Sequence, residues 1–238
     1  MRIGFSTGAV AFGDFRLGLE RLAPHQLYAI ELSALRGHEL APLIDALHEL
    51  NLGQYRYVSF HAPSRFDASD ERRIVTLLQR IAELGWPIVC HPDAMHETAL
   101  WTPLAPSLCF ENMDKRKPIG RVANELEFIF DHFSKSSLCL DLGHAWQVDR
   151  TMSEAREMIR RFRDRIKQVH VSEVNTQSEH VPLTLAGTTA YMRVAEYIPD
   201  EAPWIIESVV SSSANIAREI ECVRQSFARK LPHLVADW

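Results

Sequence analysis

Residues 137–144, Ser-Leu-Cys-Leu-Asp-Leu-Gly-His, form a short apolar run that ends abruptly in an acid, a glycine and an imidazole. A run of this length between turn signals reads as a strand buried on both faces, and its polar end marks where the chain leaves the core. The same grammar recurs at Arg2–Ser6, Tyr28–Leu32, Tyr57–Phe60, Pro87–Cys90, Ser107–Phe110, Gln168–Val171 and Trp204–Ile206, which with Ser137–Leu140 makes eight runs. Most starts lie about 26–36 residues apart, the length of one strand-plus-helix unit. The fourth-to-fifth interval is only about 20 residues. Its segment Met95–Pro106 carries two prolines, so a short or missing helix is expected there.

Helical patterns fill the other intervals. Ser69 is placed to cap a helix over Asp70–Leu84 that Gly85 stops. Thr151-Met-Ser-Glu154 has capping-box spacing ahead of Ala155–Ile166. Glu39–Leu50 and Val122–Phe133 repeat apolar residues every three or four positions. A last helix is expected over Ala214–Lys230, with the tail Leu231–Trp238 free to meet a partner. Strands apolar on both faces, alternating with helices, predict one α/β domain over residues 1–238: a closed (β/α)8 TIM barrel. No GxGxxG fingerprint follows the first strand, which argues against a dinucleotide fold.

The 238 residues are 46% hydrophobic and 24% charged, which excludes a disordered or fibrous chain. A net charge of −5 offers no general basic field for nucleic acid or an anionic membrane. Cys90, Cys109, Cys139 and Cys222 form no CxxC pair and read as reduced thiols. No apolar stretch approaches the roughly 20 residues of a membrane helix. Gly, Ser and Thr interrupt the N-terminal apolar run, so a signal peptide is not expected and a cytoplasmic location is.

What ends each run carries the chemistry. The third closes in Phe60-His61-Ala-Pro, the fourth in Cys90-His91-Pro-Asp93, the fifth in Phe110-Glu111-Asn112. The sixth closes in Leu140-Asp141-Leu-Gly-His144, the seventh in Val169-His170-Val-Ser172-Glu173, the eighth in Ile206-Glu207-Ser208; the second contributes Glu31, and His180 lies on a loop. In a parallel barrel such ends meet at one mouth whatever their separation in sequence. So many carboxylates and imidazoles in one low-dielectric mouth need a compensating cation. A His/Asp/Glu set without thiolates suits one to three ions of Zn, Mn, Fe or Co. Alternation points Cys90 away from the mouth, while Cys109 shares the inward face of Glu111 one layer deeper.

At these residues the chain resembles the xylose-isomerase-like barrels, the superfamily of sugar isomerases, epimerases and endonuclease IV. His-Ala-Pro at 61–63, His-Pro at 91–92, Glu-Asn at 111–112, Leu-Asp-Leu-Gly-His at 140–144, His170, Ser-Glu-His-Val-Pro-Leu at 178–183 and Ile-Glu-Ser at 206–208 carry the likeness. The resemblance implies a central metal site of Glu111, Asp141, His170 and Glu207, with Glu111 and Glu207 moving protons beside the substrate. It implies substrate contact by His144. Glu31 is a further candidate for substrate contact, with a structural hydrogen-bonding role as its equal alternative, and Asn112 is another candidate. The resemblance also implies additional metal ligands at His61, His91, His144 and His180. One ligand departs from the pattern: Ser178 stands where the family has Asp, which puts a complete trinuclear site in doubt.

Two chemistries follow from these residues. The first is isomerisation or epimerisation of a small sugar or sugar phosphate. The second is hydrolysis of a phosphodiester by a multinuclear centre, for which Arg65, Arg72, Arg73, Lys115, Arg116 and Lys117 are candidate phosphate contacts. An abasic-site nuclease fits poorly with the acidic balance and with Ser178, so nucleic acid is not the expected partner. A multinuclear iron oxidase and a non-catalytic binding barrel are the remaining readings. The stretch Leu185-Ala-Gly187-Thr188-Thr189 reads as a capped glycine turn, with phosphate binding on its amides as the alternative.

Overall fold

A computed structural model describes residues 1–227. Eight parallel strands close on themselves: β1 (Ile3–Ser6), β2 (Ala29–Ser33), β3 (Tyr57–His61), β4 (Ile88–Cys90), β5 (Leu108–Glu111), β6 (Ser137–Asp141), β7 (Ile166–Val171) and β8 (Trp204–Ile206). They follow one another around the ring in chain order, and β8 closes against β1 with Ile3 beside Trp204. All eight coincide with the runs in the sequence to within about two residues, the usual latitude of strand ends. The fold is a (β/α)8 barrel.

Two apolar regions hold it together. The larger lies between the barrel and its helices, where Phe5, Phe60, Phe110, Leu78 and Trp101 are buried. The smaller, Val89, Cys109 and Cys139, plugs the barrel interior. Cys90 belongs to the outer region and Cys109 to the inner one, as strand alternation requires. Cys90, Cys109 and Cys139 are buried free thiols.

Between β4 and β5 the chain makes only single turns, Pro92–Ala94, Thr98–Trp101 and Thr102–Leu104. The buried carboxylate of Glu71 pins this segment, accepting from the His96 and Glu97 amides and from Trp101 Nε1 at 2.7, 2.9 and 2.8 Å. Elsewhere the helix starts differ from expectation. A 3-10 turn, Ala68–Asp70, precedes the helix Glu71–Glu83, so Ser69 is not its cap. The helix Ser153–Phe162 follows Met152 in a left-handed conformation, and Asp149 accepts from the Thr151 and Glu154 amides in place of the expected capping box. The other predicted helices are Gly37–Ala46, which continues into a 3-10 turn, and Ala123–His132. The last runs Ser213–Phe227; its expected extension to Lys230 and the tail 231–238 lie outside the described residues. Among the described residues no helix is long and apolar enough to cross a membrane.

Candidate metal centre

The mouth is built at the C-terminal ends of the strands. Glu111 ends β5, Asp141 ends β6, His170 is the penultimate residue of β7, and Glu207 follows β8 directly. His61 ends β3 and His91 follows β4. A small antiparallel pair, Glu173–Val174 with His180–Val181, folds the chain back after β7 and returns His180 to the rim.

Asp141 is both strand end and helix cap. Its Oδ1 accepts from the His144 amide at 2.6 Å, so the helix Leu142–Val148 starts at the site and places His144 beside it. Gly143 lets that helix press against the end of β7, since a Cβ there would lie 2.7 Å from Val174 Cγ2 and 2.8 Å from the Ser172 carbonyl. Asn112 clamps Asp141 from the neighbouring strand: its Oδ1 accepts from the Asp141 amide at 2.7 Å and its Nδ2 donates to the Asp141 carbonyl at 2.8 Å.

Glu111 lies at the centre. Its Oε2 is 3.0 Å from His91 Nε2 and 3.4 Å from His61 Nε2, while its Oε1 is 3.3 Å from Nδ1 of both His144 and His170. His170 Nδ1 also lies 3.0 Å from Glu207 Oε2 and 4.0 Å from Asp141 Oδ2. Three groups emerge, each with ligand atoms within 4.8 Å of one another: His61, His91 and Glu111; Glu111, Asp141, His170 and Glu207; Asp141, His144 and His180. Glu111 and Asp141 each belong to two of them, so the three form one continuous patch.

The donor set fits divalent cations. Glu111 Oε2 and Asp141 Oδ2 are buried among imidazoles yet accept no well-directed hydrogen bond, which leaves both oxygens available to a cation. Carboxylate oxygen and imidazole nitrogen in this arrangement suit Zn, Mn, Fe or Co. His61 points Nδ1 at the Ala62 carbonyl, 2.9 Å away, which leaves Nε2 for the site.

Without a cation the charges settle against one another. Burial disfavours the charged His61 ring, but Glu111, Glu31 and Glu207 outweigh it and raise its pKa to about 9. Burial likewise opposes the charged form of His144, and Asp141 and Glu111 raise it to about 10. Burial lifts Asp141 to about 7 and depresses His180 to about 4. Glu207 resists its burial because His170 holds it at about 2.

Every residue expected at the mouth is at or beside it, and two of them are wholly buried against protein partners. Glu31, a candidate for substrate contact, is wholly buried beneath His170. Asn112, also a substrate candidate, is wholly buried and spends its amide on the Asp141 backbone. Ser178 turns to Gln147, donating to Oε1 at 3.1 Å and accepting from Nε2 at 2.8 Å. Arg116 is taken by Asp114 and the Gln177 and Ser178 carbonyls, and Lys117 by Asp93. Arg65, Arg72, Arg73 and Lys115 are exposed. Leu185–Thr189 is the first turn of the helix Leu185–Ala195, capped by Thr184, whose hydroxyl accepts from the Gly187 amide at 3.3 Å.

Sequence reasoning missed Gln168 and Gln147. Gln168 carried a readable signal: a polar residue in an apolar run, two positions before His170 and therefore on the same inward face. Gln147 carried none, since its partners Ser178 and Asn175 come from the loop after β7.

No protein-family model matches the chain, and no curated protein matches it. Solved structures do. Endonuclease IV from Thermus thermophilus superposes with a TM-score of 0.67 at 17% identity, covering 96% of this chain and 99% of that one. A 3-keto-D-glucoside 4-epimerase from E. coli gives 0.62 at 12%, covering 94% and 99%. An L-ribulose 3-epimerase gives 0.53 at 14%, covering 99% and 89%. The chain therefore shares the barrel fold of these enzymes. Likeness at this identity speaks for fold; the reaction has to come from the site.

Proposed function

We propose that this protein is a divalent-metal-dependent isomerase or epimerase of a small sugar or sugar phosphate. The observation that carries the reading is the central group: Glu111 and Glu207 come from the strands on either side of those carrying Asp141 and His170, and the four offer ligand atoms close enough to hold one cation between two carboxylates. A bound divalent ion supplies a Lewis acid that draws charge from a carbonyl and its neighbouring hydroxyl. Glu207 is the more open carboxylate, its side chain 12% exposed against 1% for Glu111, and His170 keeps it ionised. It is placed to take the proton from carbon, and Glu111 to return one from the other side. His144, which lies beside the central group at 3.3 Å from Glu111, orients substrate hydroxyls.

A second reading rests on a separate observation. The flanking groups at His61 and His91 and at His144 and His180 join the central one through Glu111 and Asp141, an arrangement suited to several ions and to phosphodiester hydrolysis. The commitment of Arg116 and Lys117 to protein partners weighs against it.

Metal content per chain and solvent exchange separate the two. The isomerase reading expects Mn²⁺-dependent incorporation of deuterium from solvent into one member of a broad sugar and sugar-phosphate panel. No exchange across the panel, together with cleavage of bis(p-nitrophenyl) phosphate and two or three ions per chain, overturns it in favour of hydrolysis.

A further inference from the structure

A layer of polar side chains fills the barrel interior directly under the metal centre. Glu31, Ser59, Gln168 and His170 are all wholly buried there, and Tyr57 reaches the layer from the far end of the barrel. A carboxyl group so far from solvent is costly unless its polar partners are met there. We propose that Glu31 is a positioning residue: it accepts the Nε2–H of His170 and so turns Nδ1 toward Glu111, Asp141 and Glu207.

The geometry is directional. His170 Nδ1 faces the carboxylates of the mouth, and Nε2 faces down, 3.1 Å from Glu31 Oε2. Gln168 also approaches Nε2, at 2.9 Å through its amide nitrogen. Its orientation is set from both sides. Tyr57 donates to its oxygen at 2.9 Å, and its nitrogen donates to Glu31 Oε2 at 2.7 Å; turning the amide over would set two oxygens against each other. The second amide hydrogen has Cys139 Sγ at 3.6 Å. Both Gln168 hydrogens thus have other acceptors, and Glu31 is the acceptor left for the ring. Ser59 Oγ steadies the same carboxylate oxygen at 3.2 Å. An imidazole that donates one nitrogen to a carboxylate presents the other as an oriented, more basic ligand.

The inference rests on the metal-dependent reading above, and its test separates the two. The His170 ring nitrogens are followed by ¹⁵N NMR in the whole protein, metal-free and after Zn²⁺ titration, while Zn²⁺ affinity is measured by chelator competition. A slowly exchanging Nε2–H in both states is expected. Glu31→Gln is expected to weaken Zn²⁺ binding about 10–100-fold. The paired exchange Glu31→Gln with Gln168→Glu, which returns a carboxylate to Nε2, is expected to recover most of that loss. An Nε2 without its proton, accepting from Gln168, overturns the proposal, as does unchanged affinity in Glu31→Gln. If the wild-type protein takes up no Zn²⁺, Mn²⁺, Fe²⁺ or Co²⁺, the metal reading fails. The Nε2–H signal of the metal-free protein then still decides for or against the Glu31 pairing.

Discussion

At the scale of single residues, Glu111 is the member of the site on which the others depend. Its two oxygens face four imidazoles contributed by four different parts of the chain. Glu111→Gln keeps the size but removes the charge that offsets those rings and leaves one oxygen where two candidate groups share a carboxylate. Divalent-metal affinity is expected to fall by at least about 100-fold, beyond what loss of an outer hydrogen-bond partner brings. Chelator competition measures it, and a variant that still binds within a few-fold of wild type would show that Glu111 is not a ligand. Glu71 is a purely structural counterpart. Its carboxylate satisfies three donors in the short segment between β4 and β5. Glu71→Ala is expected to lower stability by about 3 kcal/mol, read by denaturant unfolding, because those buried donors lose their acceptor.

Elements deliver these residues through their ends. The helix Leu142–Val148 begins on Asp141 itself, and its closeness to β7 depends on the missing side chain at position 143. Gly143→Ala would drive a methyl into Val174 and the Ser172 carbonyl, with an expected loss of about 1–3 kcal/mol. Because the shift falls at the site, metal affinity should drop with thermal stability; a variant as stable as wild type would mean that the helix can move away freely. The helix Ser153–Phe162 is tied down by Asp149, well outside the metal centre. Asp149→Ala is expected to lower stability by about 1 kcal/mol with metal affinity unchanged, which makes it the control for the first variant.

For the whole molecule, the buried charges of the mouth tie stability to pH and to any metal the mouth takes up. In the metal-free protein His61 and His144 are raised from 6.5 to about 9 and about 10. A raised folded pKa stabilises below the unfolded value, so their contribution is complete below pH 6.5 and is lost as pH climbs through 9 to 10. Asp141, raised from 3.8 to about 7, acts in the same sense at lower pH: its contribution is complete below 3.8 and lost by about 7. Thermal unfolding of metal-free protein is therefore expected to move to lower temperature between neutral pH and pH 10. Metal-loaded protein should show the opposite trend, since ligands must shed protons to bind. A flat profile in the metal-free protein would contradict the charge distribution described above.

The strand ends were legible because parallel-barrel topology sends every C-terminal end to one mouth, so residue type and position along each run were enough to name Glu111, Asp141, His170, Glu207 and the flanking histidines. The short segment between β4 and β5 was legible from its prolines and its spacing. The partners of Glu31 and Asn112 were not, because a strand pattern gives the face of a side chain and not the group it meets across the barrel. Glu31 meets His170 across 139 positions of chain, and Tyr57 meets Gln168 across 111. Those meetings are set by the tilt and stagger with which eight strands close. Chain order placed acids and imidazoles at the rim; closure of the ring decided that one of those acids would lie beneath it, aimed at a ring nitrogen of His170.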